Sequence, residues 1–126
     1  MATAAVLAAL AVMAGAFGVH GLKQLVPAES VDSFQTAARY LLIHGVALIG
    51  LTALPRDLIS PRRKKLHFVL LLIGVLLFSG SIFLLVFNKI WKLEVLNFLG
   101  PITPIGGLLL IASWLFLFWS VSSKKG

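Results

Sequence analysis

Residues 66–88, LHFVLLLIGVLLFSGSIFLLVFN, run for twenty-three positions without one formal charge. Three further uncharged stretches cover residues 1–22, 40–55 and 95–123. About 20 apolar residues at a rise of about 1.5 Å match the ~30 Å hydrocarbon core of a bilayer. Each stretch is therefore a candidate transmembrane segment.

The spanning segments are predicted to be helices rather than strands of a barrel. Barrel strands alternate apolar and polar residues, whereas residues 70–73 and 108–111 are apolar at every position. A helix also satisfies its own backbone hydrogen bonds in lipid. The sequence predicts an all-α fold, an integral membrane four-helix bundle in a single transmembrane domain, with spans at about residues 2–22, 31–54, 66–88 and 103–122.

The charge of the chain is best explained by membrane topology. With 126 residues, 60% of them hydrophobic, the spans leave no room for a soluble domain, so the net charge of +7 does not indicate a nucleic-acid partner. Basic residues concentrate in the second connection, at 56 and 62–65, and after the last span, at Lys124 and Lys125. The positive-inside rule then places both termini in the cytoplasm, and a bacterial inner membrane is the expected location.

Small residues mark the faces on which the helices are expected to pack. In the first span they recur at Ala4, Ala8, Ala11, Gly15 and Gly18, and such a stripe lets another backbone approach closely. Two further stripes follow in the third and fourth spans, at His67, Gly74, Ser81 and Asn88, and at Gly106, Ser113 and Ser120. The glycines predicted to mediate helix packing are Gly15, Gly18, Gly74, Gly106 and Gly107.

Capping signals predict where two of the helices begin. Ser30 is a plausible N-cap for the second helix, which Pro55 would end, and Thr103 with Pro104 is a strong start signal for the fourth. The first turns of the second helix carry polar side chains on one face and are predicted to lie partly in the membrane interface.

Polar residues in or beside all four spans suggest a pocket on the outer side of the membrane. An isolated polar group in lipid costs several kcal/mol, so these groups should bond to each other, to water or to a ligand. Tyr40 is expected to stack on His44, four residues later. The candidate pocket residues are His20, Arg39, Tyr40, His44, Ser79, Ser81 and Thr103.

The sequence is compatible with more than one role for several of these polar residues. His20 and His44 would serve as haem or metal ligands, as a proton relay, or as plain hydrogen-bond partners, and the last is favoured because no cysteine or carboxylate completes a zinc set. Arg39 would pair with a carboxylate, snorkel outward or bind an anionic headgroup. His67 is expected to be interfacial. We predict no catalytic residue, no metal site and no cofactor, since no catalytic motif is present.

The chain resembles the transmembrane protein 256 family of small membrane proteins, whose function is unknown. The matching segments are Gly15–Leu22, Phe34–Tyr40 with His44, Phe78–Ser81, and Gly100–Gly107 with Trp114. Val19 departs from the alanine usual at that position. The resemblance implies a four-helix membrane protein and places family signature residues in the proposed outer pocket.

Three functions are compatible with these features. The leading hypothesis is a non-enzymatic structural or accessory protein that packs, through its small-residue faces, with a membrane-protein partner or with copies of itself. The alternative is a binding module that holds a lipid, quinone, haem or anion in the outer pocket. A transporter or channel is less favoured, because the inner halves of the spans offer little polar surface and one four-helix unit is small for alternating access.

Overall fold

The computed structural model describes residues 1–123, and these form four long helices. They are α1 (Ala2–His20), α2 (Ala28–Ala53), α3 (Pro61–Trp91) and α4 (Ile102–Ser122), with a short 3₁₀ helix, Glu94–Leu99, before α4. All four are long and apolar enough to cross a membrane, which confirms the predicted fold class. Lys124 and Lys125, used in the charge argument, lie outside the described residues.

The first helix packs against α2 through the predicted stripe of small residues. Ala4, Ala11 and Gly18 are buried in this contact. A Cβ atom added to Gly18 would lie 2.9 Å from the ring of Phe34. On α2, a Cβ at Gly45 would lie 3.1 Å from the backbone nitrogen of Ala8, so Gly45 is a packing glycine that the sequence analysis missed. Small residues on both helices thus allow close approach.

The third helix contains one π-helical turn, Leu76–Gly80. At this turn Ser79 is fully buried, and its Oγ donates to the carbonyl oxygen of Ala37 in α2 at 2.8 Å. The backbone of Phe78 lies so close to α4 that a Cβ on Gly106 would come within 2.8 Å of the Phe78 Cα. The π turn is therefore fixed between α2 and α4.

The five predicted packing glycines have different surroundings. Gly18, Gly74 and Gly106 lie at tight contacts, as predicted; a Cβ on Gly74 would lie 3.1 Å from the Leu110 nitrogen. Gly15 contacts α2 through its carbonyl oxygen, which accepts from Gln35 Nε2 at 3.0 Å, but a Cβ there would meet nothing within 4 Å, so this contact does not require a glycine. Gly107 makes only ordinary contact, 3.7 Å from the Phe78 ring. The other stripe positions of α3 and α4 are buried.

Two predicted helix starts are corrected because the expected capping hydroxyls bond elsewhere. The N-cap of α2 is Pro27 rather than Ser30, whose Oγ accepts from Lys89 Nζ at 2.9 Å. The N-cap of α4 is Pro101, and the Thr103 Oγ1 pairs with Ser81 Oγ at 2.5 Å. In both cases the hydroxyl joins two helices instead of capping one.

The third helix begins earlier than residue 66, so the predicted loop from 56 to 65 is too long. Ser60 caps this helix by accepting from the backbone N–H of Arg63 at 3.4 Å, and Pro61 occupies the first turn. Proline is well suited to that position because its missing N–H would have no partner there anyway. The basic residues 62–65 therefore lie on the first turns of α3.

At this basic end of the bundle, two cations bond to the C-terminal ends of neighbouring helices. Arg63 donates to the Ser120 carbonyl at 3.5 Å and to Ser123 Oγ at 2.9 Å, and its guanidinium lies 4.6 Å from the Trp119 ring centroid. Lys64 donates to carbonyl oxygens at the end of α2. Positive charge beside helix C-termini complements the helix dipole.

The opposite end, which we call the mixed-charge end, contains the start of α2, the end of α3 and the start of α4. Three of the four carboxylates of the chain, Glu29, Asp32 and Glu94, lie here, beside Lys89 and Lys92. The predicted topology places this end outside and both termini inside. That orientation stays a prediction, which reporter fusions at the C-terminus would test.

Candidate functional site

The seven predicted pocket residues do not converge on one pocket. His20 and Arg39 line a shallow groove between α1 and α2. Tyr40 and His44 contact Phe78 and Trp114 in the middle of the bundle. Ser79 bonds to α2, while Ser81 and Thr103 bond to each other.

The predicted pocket does not form because His44 lies far along α2 from the start of that helix. It lies sixteen residues after Ala28, where the helix begins, which is roughly 24 Å at 1.5 Å per residue. The packing of Gly45 against Ala8 places His44 far from the level of His20. The level on α1 that His44 faces is about eleven residues from His20, so the two imidazoles are roughly 16 Å apart along the α1 axis. His20 is also exposed, so the two histidines do not form a paired ligand set.

His44 is held in the interior by hydrogen bonds at both ring nitrogens. It is 5% exposed, its Nδ1 donates to the Tyr40 carbonyl at 2.7 Å, and its Nε2 accepts from the Trp114 indole N–H at 3.2 Å. This arrangement sets the neutral tautomer with the proton on Nδ1. The Tyr40 ring stacks on His44 at 5.9 Å, as predicted. A haem or metal ion would have to break one of these bonds.

His67 is not interfacial, which corrects the sequence-based expectation. It is 1% exposed, and its Nδ1 lies 2.7 Å from the Oγ of Ser113 on α4. Its ring also meets Trp114 edge-on at 6.3 Å. We call His44, His67, Ser113 and Trp114 the central polar cluster; it joins α2, α3 and α4.

Within residues 1–123, no group of three or more histidine, cysteine, aspartate or glutamate side chains is arranged to hold a metal ion. The two buried histidines instead bond to side chains of α4. The arrangement at His44 and His67 is suited to fixing helices, because the alternative is an unpaired polar group in a low-dielectric interior.

A different place has the properties of a binding site: a cleft of about 640 Å³ at the mixed-charge end, which we call the α2–α3 cleft. Its α2 wall carries residues three or four apart, from Glu29 through Asp32 and Ser33 to Thr36, and these share one helix face. Seven residues of helix span roughly 10 Å, so the cleft extends from charged side chains at its mouth to a hydroxyl deeper in. Its volume is typical of a small-molecule site.

The opposite wall of the cleft comes from α3. Its deeper part is apolar, formed by Ile82, Leu85 and Val86, and its outer part is polar, with Asn88 and Lys89. Asn97 of the 3₁₀ helix and Thr103 of α4 complete the lining. The cleft therefore combines a charged mouth with an apolar interior.

Within residues 1–123, Asn88 is the one residue of the cleft lining that has a buried side-chain atom with no hydrogen-bond partner. It is 8% exposed, and its Nδ2 donates to Asn97 Oδ1 at 3.0 Å. Its own Oδ1 is buried and has no hydrogen-bond partner among the described residues. Leaving a buried acceptor unpaired costs about 1–3 kcal/mol, so a small movement of the side chain toward a donor bound in the cleft would supply a hydrogen bond that this atom lacks.

The sequence pattern places Asn88 only in a helix-packing stripe. The heptad spacing of His67, Gly74, Ser81 and Asn88 identified a buried face but not an unpaired amide. The sequence does contain a signal for a polar site, because Asn88 precedes Lys89 at the end of one span and carboxylates begin the second helix. The sequence does not show that the end of α3 and the start of α2 lie beside each other.

Comparison with known proteins identifies the family. The model of a family described as a protein of unknown function (DUF423) matches residues 14–107, well over half of the chain. The chain belongs to this family. The matched residues include the whole lining of the α2–α3 cleft, whereas Ser113 and Trp114 of the central polar cluster follow the matched region.

Its relatives are named as membrane proteins. The chain is 35% identical over 113 residues to the UPF0382 membrane protein SSP2132 of Staphylococcus saprophyticus, covering 87% of this chain and 85% of the relative. For YwdK of Bacillus subtilis the identity is 34% over 113 residues, covering 90% of this chain and 87% of the relative. For C1782.12c of Schizosaccharomyces pombe the identity is 35% over 113 residues, covering 88% of this chain and 91% of the relative.

No solved structure matches the chain. The names of the relatives and the four helices together confirm a multi-pass membrane protein, consistent with the expected bacterial membrane location. The function of the family is unknown.

Proposed function

We propose that this member of the DUF423 family is a non-enzymatic accessory membrane protein that holds a membrane lipid by its headgroup in the α2–α3 cleft. The observation that carries the proposal is Asn88, a residue of the cleft lining whose Oδ1 is buried and has no hydrogen-bond partner within residues 1–123. Buried polar groups are nearly always hydrogen-bonded, and an exception needs an explanation.

The form of the cleft favours an amphiphile over a soluble molecule. Glu29, Asp32 and Lys89 lie at the mouth, and the apolar side chains of Ile82 and Val86 lie deeper along the same walls. A headgroup would meet the charges while its glycerol backbone and the beginning of its acyl chains meet the apolar wall. The family match covers every one of these residues.

The remainder of the interior favours an accessory role. His44 uses both ring nitrogens within the protein, so the haem-binding alternative loses its best ligand. A continuous polar path is also not favoured, because the middle of the bundle contains a buried apolar cluster that includes Leu41, Leu48 and Leu71. Three expectations stay predictions: that a second copy or another membrane protein is a partner, that the lipid bilayer itself is a partner, and that the chain has the narrower relationship to transmembrane protein 256.

The test is lipid retention by the full chain purified in mild detergent, measured by native mass spectrometry. Asn88→Leu keeps the size of the side chain and removes its amide. Because a hydrogen bond to a charged group contributes about 1.5–3 kcal/mol, we expect retention of bound lipid to fall by roughly tenfold or more.

Ser113→Ala provides the control, because it damages the central polar cluster without touching the cleft. Lipid loss from Asn88→Leu but not from Ser113→Ala supports the cleft as the site. Retention by Asn88→Leu at the wild-type level would contradict the proposal, as would equal loss from both variants.

A further inference from the structure

The charges around the α2–α3 cleft are arranged asymmetrically. Glu29 and Asp32, three residues apart on α2, line one side of the mouth, and Lys89 on α3 lines the other. Two negative charges thus face one positive charge. Glu94, which lies at the same end of the bundle, does not line the cleft.

Lys89 is already positioned by the protein. Its Nζ donates to Ser30 Oγ at 2.9 Å, and Ser30 is only 2% exposed. An ammonium has three N–H donors, so two remain for a ligand. A phosphate oxygen would accept from them at the mouth of the cleft.

Three of the lining side chains offer acceptors to a ligand. Asn88 Oδ1 has no partner from residues 1 to 123, and the carboxylates of Glu29 and Asp32 accept but do not donate. A quaternary ammonium has no N–H to offer Asn88, and a headgroup with only negative charge would meet two carboxylates. A primary ammonium supplies both positive charge and N–H donors.

We propose that the α2–α3 cleft selects a primary-amine headgroup, that of a zwitterionic aminophospholipid, with the phosphate at Lys89 and the ammonium between Asp32 and Asn88. This inference rests on the proposed function, because it names the headgroup of the lipid held there. The same ammonium chemistry is available from a soluble amine such as phosphoethanolamine, and the experiment separates the two sources.

The experiment uses the full chain in detergent and three lipids with identical acyl chains: phosphatidylethanolamine, phosphatidylcholine and phosphatidylglycerol. Binding is measured by native mass spectrometry, and stabilisation by the shift in thermal unfolding. We expect phosphatidylethanolamine to bind roughly tenfold more tightly than either of the others, the consequence of one well-placed charged hydrogen bond.

The variant Glu29→Gln/Asp32→Asn tests the origin of this preference. It should reduce the affinity for phosphatidylethanolamine by roughly tenfold and leave that for phosphatidylglycerol equal or higher. Glu94→Gln is the matched control and should change neither affinity. All variants are first compared by circular dichroism and thermal unfolding without added lipid, and Asp32→Asn alone replaces the double variant if the latter does not fold.

Each outcome has a distinct meaning. Equal binding of the three lipids, or tighter binding of phosphatidylcholine or phosphatidylglycerol, overturns the amine selectivity and leaves the cleft as a lipid site. Phosphoethanolamine stabilising the protein as well as the lipid does overturns the lipid as the source of the amine. Binding of none of the three lipids overturns the proposed function itself.

Discussion

The central polar cluster and the α2–α3 cleft both place polar side chains inside an apolar bundle, but only the cluster satisfies its members internally. In the cluster, His44 bonds at both ring nitrogens and His67 bonds to Ser113. In the cleft, the Oδ1 of Asn88 is buried without a partner in the described part of the chain. Burial of a polar residue is therefore a poor indicator of function by itself, and the unpaired atom is the better one.

The two regions should respond to mutation in opposite ways. Removing one partner from a satisfied pair leaves the other buried and unpaired, which costs about 1–3 kcal/mol. Asn88→Leu removes an unpaired oxygen, which relieves that cost, together with one bond to Asn97, which is exposed and can bond to water instead. Changes in the cluster should therefore lower stability and spare lipid binding, whereas changes in the cleft should lower lipid binding and spare stability.

The largest expected effect comes from the helix contact that supports both regions. Gly106→Ala places a Cβ against the Phe78 backbone at the π turn, and backbone cannot move aside as a side chain does. We expect a loss on the order of 3 kcal/mol, measured as the denaturant midpoint in detergent. Gly107→Ala, where the nearest atom is 3.7 Å away, should stay within about 0.5 kcal/mol. Equal stability of the two variants would show that α3 and α4 are not this close.

A smaller effect is expected from the two buried serines of α4. Ser113 and Ser120 are both fully buried and seven residues apart, but Ser113 bonds to His67 while the Ser120 Oγ has no partner among residues 1–123. Ser113→Ala should cost about 1–3 kcal/mol in free energy of unfolding, and Ser120→Ala should be neutral or stabilising. A loss of the same size in both would remove the distinction between satisfied and unsatisfied groups.

The smallest effect tests the other bond of the cluster. Trp114→Phe removes the indole N–H that donates to His44 Nε2, and we expect a loss of about 1 kcal/mol. Nitrogen NMR of His44 should detect the Nδ1-protonated tautomer in the wild type. Trp91→Phe is the control, since Trp91 is 60% exposed. A wild-type spectrum with the proton on Nε2 would contradict the hydrogen-bond assignment.

The sequence predicted the membrane spans well because charge-free length is a local property of the chain. The helix starts were harder to predict from the sequence. Ser30 and Thr103 have the right chemistry for N-caps, but their hydroxyls form bonds between helices instead. The π turn in α3 also depends on neighbours, Ala37 on α2 and Gly106 on α4, which no local pattern reveals.

The candidate pocket was predicted less well than the spans. Its residues were placed by counting from the expected ends of the helices, and His44 proved to lie beyond the middle of α2. Asn88 was recognised as buried but not as unpaired, because whether a donor reaches its Oδ1 depends on how the helices pack, and no local pattern reveals that. The functional role of the seven predicted residues stays a prediction.

The close approach of α1 to α2 alone has a consequence for how the molecule is assembled. Among the described residues, the α1 backbone comes near no other helix, while α3 and α4 pack closely on each other. We therefore expect the chain to enter the bilayer as two successive helical hairpins that then dock through α2. A chain divided in the connection between α2 and α3 should reassociate into one protein when both halves are made in the same cell.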